Sequence, residues 1–207
     1  MAEGDEHSNA AQLIGGGDDN MFSAIDRDNV HALNITVPED AKETIKPWDE
    51  RESTDKYADS NVDDQMIIHI PFIQNVRLRT LLLKSGRGET TPRRLRLFAN
   101  NANIIDFDAA DDARPSVDIA LQEGQTGVIE YPLRAATFAN IHSLSLFFSN
   151  SVGEDVSRVY FIGFKGDIRA PRKEATDKLP IPAANAADAP LVDKVGEKRG
   201  AAQSLAK

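Results

Sequence analysis

The chain has no cysteine. Disulfides, zinc–thiolate sites and thiol redox chemistry are therefore excluded, and a reducing compartment is consistent with the composition. It has one tryptophan and three tyrosines, too few to interleave with its arginines as stacking platforms for bases. No run approaches the roughly 18 apolar residues of a membrane span, so no membrane insertion is expected. The four histidines, His7, His31, His69 and His142, show no i, i+4 ligand pairing, and His69 and His142 read as strand histidines rather than metal ligands. There is no G-x-S-x-G, and the glycines at 15–17 precede no Lys-Ser/Thr, so neither a nucleophile elbow nor a phosphate loop is indicated. The first nine residues are acidic and polar, unlike a secretory signal. Cytoplasm and nucleus are the expected addresses.

What the sequence does contain is charge, unevenly placed. The net charge over 207 residues is −9; residues 1–64 carry −12, residues 65–164 carry none, and residues 165–207 carry +3. An acidic front and a weakly basic end do not make the broad positive face that nucleic acid requires. The length suits one domain with tails.

Hydrophobic periodicity divides the chain. Residues 1–19 are poor in apolar side chains and hold a Gly-Gly-Gly-Asp-Asp run, which predicts a disordered N-terminal tail. Residues 25–33 read as a short helix or turn. Residues 36–64 follow neither period, and so long an unpatterned stretch is expected to wrap the surface or carry function. From residue 65 the period is two. Strands are expected at 66–72, 76–83, 93–98, 104–107, 117–121, 127–133, 144–148 and 158–164, with turn residues between them. This predicts an all-β sandwich or barrel with its core at 65–166, inside a domain spanning 20–190. Pro71 is expected to end the first strand by removing a ladder donor. Gly163 and Gly166 are expected where the backbone comes close or bulges. Residues 191–207 read as a disordered C-terminal tail.

Candidate functional residues are mostly charged. Arg77 and Arg79 alternate with Val76, Leu78 and Thr80; Arg93, Arg94 and Arg96 lie on the following strand. If the two strands pair, these arginines form a basic stripe on the solvent face. It would serve solubility and edge protection or dock an acidic protein partner. Asp106, Asp108, Asp111 and Asp112 cluster near a turn, as a solvated loop or a calcium site, without EF-hand spacing. Trp48 after Pro47 would cap the core or anchor an interface. Asp63 and Asp64 would cap the turn before the first long strand or join a partner surface. No catalytic residue, metal ligand or cofactor site is indicated, so no enzyme is expected.

Several words in the sequence occur in a known order. Ile25-Asp26 and Leu33-Asn34 precede Ile45-Lys46-Pro47-Trp48-Asp49-Glu50-Arg51. The run Tyr57-Ala58-Asp59-Ser60-Asn61-Val62-Asp63-Asp64-Gln65-Met66 continues into Ile67-Ile68-His69-Ile70-Pro71-Phe72. Asp106-Phe107-Asp108, the segment Phe138-Ala139-Asn140 through Leu144-Ser145-Leu146-Phe147, and Ile162-Gly163-Phe164-Lys165-Gly166 complete the set. Together they resemble the PITH domain family, whose name stands for proteasome-interacting thioredoxin-like, and in particular its stand-alone members. The resemblance implies a jelly-roll β-sandwich similar to galactose-binding-like domains. It also implies a non-catalytic protein that binds the regulatory particle of the 26S proteasome or another large protein assembly; a monomer is the default expectation. The rival from the fold alone is a sandwich that binds a small ligand or glycan through its end loops, with calcium at 106–112.

Overall fold

The computed structural model describes residues 19–101 and 103–169. Except for Asp19, the expected N-terminal tail lies outside them, as does the expected C-terminal tail. Among the described residues eight strands build the framework: β1 (His31–Leu33), β2 (Ala58–Asp59), β3 (Met66–Ser85), β4 (Pro92–Ala99), β5 (Val117–Ala120), β6 (Ile129–Pro132), β7 (Ile141–Ser151) and β8 (Arg158–Ile168). All the strand pairings are antiparallel.

Strand β3 belongs to both layers of the sandwich. Its first half lies between β1 and β7, and β7 continues to β4 and β5. Its second half lies between β6 and β8, and β8 continues to β2. The crossing falls between Pro71 and Val76, where the register on β7 shifts. The two strands expected at 66–72 and 76–83 are thus one, and Pro71 does not end it. Pro71 sits opposite Ser143 just before the corner, where the ladder is already interrupted, so its missing N–H breaks little.

Alternation then sorts the side chains. Met66, Ile68 and Ile70 enter the main core with Val76, Leu78, Leu81 and Leu83, facing Leu95, Leu97, Leu144, Leu146, Phe148, Ile162 and Phe164. Ile67 points the other way, into a second cluster with Phe98, Phe147 and Ala110. Ala110 belongs to a short helix, Phe107–Asp112, that covers this outer face. Asp106 caps the helix by accepting from the Ala109 N–H at 2.7 Å. The strand expected at 104–107 is therefore absent. Ile104 and Ile105 pack on the second cluster from non-strand backbone, and Phe107 opens the helix.

Residues 44 and 45 run along the edge of β8, where the Ile162 N–H donates to the Thr44 carbonyl at 2.9 Å and Ile45 joins the main core; residues 46–56 then cover the outer face of this layer. Lys84, buried on β3, donates to the Glu52 carbonyl at 2.6 Å and to the Glu52 carboxylate at 2.7 Å. Lys46, also buried, donates to the Ser53 and Lys56 carbonyls at 3.0 and 2.7 Å, and burial holds its pKa below the ordinary lysine value. The unpatterned segment is thus fastened by lysines bound to backbone carbonyls, an arrangement that leaves no hydrophobic period. Residues 25–33, expected as a helix or turn, split instead into a 3₁₀ turn at Arg27–Asn29 and strand β1.

Gly166 shows the close approach expected of it. A Cβ there would collide with the Arg77 carbonyl across the β3–β8 ladder, beside a register shift between Leu78 and Thr80. A Cβ on Gly163 would meet the Phe161 ring, which is buried on the outer face.

Arg96 departs from its expected place on the solvent face. It points outward, but the helix covers it, leaving 9% of the residue exposed. Its guanidinium donates to the Ala110 carbonyl at 3.1 Å and to the Asp111 carboxylate at 2.8 Å, and lies 4.2 Å from the Phe147 ring centroid. Replacing Arg96 with Ala should cost about 2–3 kcal/mol, because it strips the helix of its tie to β4 and removes a cation–π contact. Arg94→Ala should cost under about 1 kcal/mol, since the Arg94–Asp118 pair is exposed. Urea denaturation of both variants against the parent tests the contrast.

His69 lies on the same outer face, between β1 and β7. Its Nδ1 shares a hydrogen bond of 2.9 Å with Ser145 Oγ, and the His31 ring sits 5.0 Å away. Burial, reinforced by His31 and His142, pushes its pKa down from 6.5 to about 4. The folded state therefore holds His69 neutral where the unfolded chain protonates it. Its contribution to stability is complete above about pH 6.5 and is lost as pH falls toward 4. NMR should find the ring neutral at about pH 5.5. His69→Gln should flatten the fall in urea midpoint between those two pH values.

Candidate functional site

The arginines do not form one stripe. Arg77 and Arg79 lie on the second half of β3, which pairs with β6 and β8; Arg93, Arg94 and Arg96 lie on β4, which pairs with β5 and β7. The strands follow one another in sequence, but β3 has changed layers before β4 begins, so they do not pair. Most of the positive charges are also engaged. Arg79 reaches Asp167 at 3.0 Å, Arg93 reaches Glu123 at 2.8 Å, and Arg94 holds Asp118 through Nε and Nη2. Arg77 is exposed, and its side chain makes no hydrogen bond or ion pair among the described residues. Two separated arginine pairs therefore replace the expected stripe, with Arg96 removed from it.

Asp63 and Asp64 work as turn anchors. The Asp63 carboxylate accepts from the Gln65 N–H at 3.0 Å and from Asn34 Nδ2 at 2.8 Å. Asn34, at φ 54°, also donates to the Gln65 carbonyl and accepts from the Val62 N–H. Its left-handed backbone suits asparagine. Asp64 accepts from the Ser151 N–H, and its carbonyl accepts from the Ser157 hydroxyl. These contacts tie the entry of β3 to β7 and β8. Beside them, Val62 is 81% exposed.

Trp48 is neither a buried core plug nor a free anchor. It is half-buried, with the Arg51 guanidinium 4.2 Å from its ring centroid and the Lys165 ammonium 5.8 Å away. The Arg51 guanidinium also donates to the Trp48 carbonyl at 2.8 Å. Both cations are within reach of the ring's quadrupole, so the indole is engaged within the fold.

A group that local patterning missed stands nearby. Arg158 on β8 forms a two-pronged pair with Asp59 on β2, at 2.6 Å for each contact, and its guanidinium lies 4.0 Å from the Tyr57 ring centroid. The hydrogen bonds to Asp59 raise the Arg158 pKa above its ordinary value. Asp59 and Arg158 are 99 positions apart, and no period or motif links them.

Asp59 and Tyr57 line an open cleft of about 490 Å³ together with Glu39, Asp40, Glu43 and Asp55 and with a single cation, Lys56. Glu43 is held below the usual carboxylate range by its hydrogen bond from Lys56. Asp40 is held above it, by burial first and then by Glu39, Glu43 and Asp59. The cleft thus concentrates negative charge from the segment expected to carry function. The other acidic group, at 106–112, is divided: Asp106 caps the helix and Asp111 pairs with Arg96. Among the described residues, no three His, Cys, Asp or Glu side chains are grouped to hold a metal ion, and no helix is long and apolar enough to cross a membrane.

Comparison with known proteins places this architecture. The sequence is 32% identical over 147 residues to PITH domain-containing protein CG6153 of Drosophila melanogaster, covering 71% of this chain and 69% of that protein. It is 32% identical over 174 residues to PITH domain-containing protein ZK353.9 of Caenorhabditis elegans, covering 81% and 83%. Among solved structures, the CBM32-1 and CBM32-2 domains of Clostridium perfringens ZmpB in complex with GalNAc align with a TM-score of 0.53 at 10% identity, covering 78% of this chain and 38% of that one. That likeness is one of fold: a galactose-binding-like jelly roll. A sequence profile of the PITH domain matches residues 11–182, and with that span and these relatives the chain belongs to the PITH domain family.

Proposed function

We propose that this chain is a non-catalytic interaction module that docks on the regulatory particle of the 26S proteasome, in cytoplasm and nucleus. The observation that carries the reading is family membership across residues 11–182. The surface supports it. The 490 Å³ cleft is open and lined by carboxylates, a form suited to a basic segment of a partner protein. Arg77, exposed and with no side-chain hydrogen bond or ion pair among the described residues, offers positive charge on one layer to an acidic segment, and Arg79, Arg93 and Arg94 would offer theirs by exchanging Asp167, Glu123 and Asp118 for a partner's carboxylates.

Affinity capture from cell extract at mild salt, followed by mass spectrometry, tests the proposal. Regulatory-particle subunits in stoichiometric amounts are expected, and their absence above background overturns it. Because the two arginine pairs lie on different layers, a single contact face uses only one of them. Either Arg77→Glu with Arg79→Glu, or Arg93→Glu with Arg94→Glu, should reduce capture by about tenfold or more while the other pair leaves it unchanged. Both double variants should melt within about 5 °C of the parent, because exposed ion pairs contribute little.

A further inference from the structure

A second cleft, of about 350 Å³, is lined by Arg114, Pro115, Ser116, Val117, Asp118 and Arg134. Its two arginines differ from the engaged arginines described above. Elsewhere Arg79, Arg93, Arg94, Arg96 and Arg158 each hold a carboxylate. Arg114 and Arg134 are exposed, and neither side chain makes a hydrogen bond or ion pair among the described residues. In a chain of net charge −9, two unneutralised guanidiniums line one small cleft, although like charges resist being brought together.

The backbone under them is fixed. Arg134 opens a turn in which its carbonyl accepts from the Thr137 and Phe138 N–H groups at 3.0 and 3.1 Å, and the fully buried Phe138 anchors that turn. Arg114 stands between the C-cap Ala113 and Pro115. The cleft also holds a neutral donor. The Ser116 hydroxyl oxygen accepts from the Ala99 N–H at 3.2 Å, which leaves the hydroxyl proton to donate. The one carboxylate on the rim, Asp118, is engaged by Arg94, whose hydrogen bond holds its pKa below the usual range. The cleft runs beside β5, the last strand in its layer, which pairs only with β4 among the described residues. Alternate backbone groups of such an edge strand face outward.

We infer that this cleft docks an extended acidic segment of a partner protein, which adds along the free edge of β5 and places its carboxylates on Arg114 and Arg134. Planar guanidiniums suit carboxylate recognition, and a sheet edge supplies main-chain pairing that a small anion cannot use. The inference rests on the protein-interaction reading and names a contact for it.

The test uses the full chain and a fluorescein-labelled peptide with Glu at alternate positions between Val and Thr. Anisotropy should show binding that weakens with salt, falls at least about tenfold in the Arg114→Gln, Arg134→Gln variant, and is absent for the same peptide with Gln in place of Glu. Arg114→Lys with Arg134→Lys should give an intermediate loss, because the charge remains and the fork does not. Amide NMR should shift at Asp118 and Ala120. Failure of the Glu peptide to bind, or equal binding by parent and Gln variant, overturns the inference. So does inorganic phosphate that displaces the peptide and reproduces its shifts, which would mean a small-anion site. Tighter peptide binding after Glu3, Asp5, Glu6 and Asp18 are neutralised would assign the cleft to the chain's own acidic segment and overturn the partner reading. Peptide binding without proteasome capture would sink the proposed function and leave this inference standing; capture without peptide binding would do the reverse.

Discussion

The crossing of β3 from one layer to the other constrains everything else in this molecule. A strand's side chains alternate strictly, so a shift of one residue would exchange its buried and outer sets. In β3 that penalty applies twice, because the first half is registered on β7 and the second on β8. The irregularity between Pro71 and Val76 marks the change of direction, across which the even positions Met66, Ile68, Ile70, Phe72, Val76 and Leu78 stay in the common core; the phase changes only at the shift between Leu78 and Thr80, after which Leu81 and Leu83 face inward. The glycine at 166 is needed for the same reason. The β8 backbone approaches Arg77 so closely that no side chain fits, and the ladder bulges just beyond.

Burial of both faces follows from this arrangement and explains the placement of charge. Each layer has a covering on its outer side: the helix Phe107–Asp112 on one, residues 46–56 on the other. Each covering is fastened by cations from the strand beneath it or from within its own loop. Arg96 reaches up from β4 to the helix, Lys84 from β3 to Glu52, and Lys46 spans its own loop. These cations bind backbone carbonyls, and the short covering elements they hold could not survive on helical or strand propensity alone. Removing such a donor leaves a buried carbonyl at Ala110, or part-buried ones at Glu52, Ser53 and Lys56, without this partner, which costs more than losing a surface ion pair.

The core was legible from the sequence because it is written in period two. Leu95 and Leu97, Leu144 and Leu146, and Met66, Ile68 and Ile70 are where alternation puts them. The failures have physical causes. Arg96 reads as solvent-facing because alternation reports only which face a residue is on; what lies over that face depends on residues 104–112, whose Ile104, Ile105 and Phe107 imitate a strand. Pro71 reads as a terminator because a proline inside a central strand removes a donor, and nothing local announces a corner at which that donor is not required. Residues 36–64 carry no period because they are held by side-chain to backbone hydrogen bonds, not by a continuous apolar face. Asp59 with Arg158 and Asp63 with Asn34 are long-range pairs of polar residues, and only the fold brings them together.

The functional surface was less legible for the same reason. Sequence order suggested that five arginines act together, but adjacency in sequence is not adjacency across a sandwich when the linking strand changes layers. What distinguishes a docking charge from a structural one is whether it is already satisfied. Arg94, Arg96 and Arg158 hold carboxylates in geometries that fix strands and helix, so their attraction for an outside partner is largely used within the fold. Asp63 and Asp64 are engaged in the same way. The charges left with strong outward fields are those the fold does not neutralise. They are the carboxylates lining the cleft at Asp40, whose own pKa is raised by burial first and then by its acidic neighbours, and cations such as Arg77, Arg114 and Arg134. These groups lie on different parts of the sandwich, so a large partner assembly would meet regions of opposite sign on one small domain. Such a distribution orients an incoming partner more than it tightens the complex, because complementary charge fixes register and encounter rate while desolvation offsets much of the direct gain.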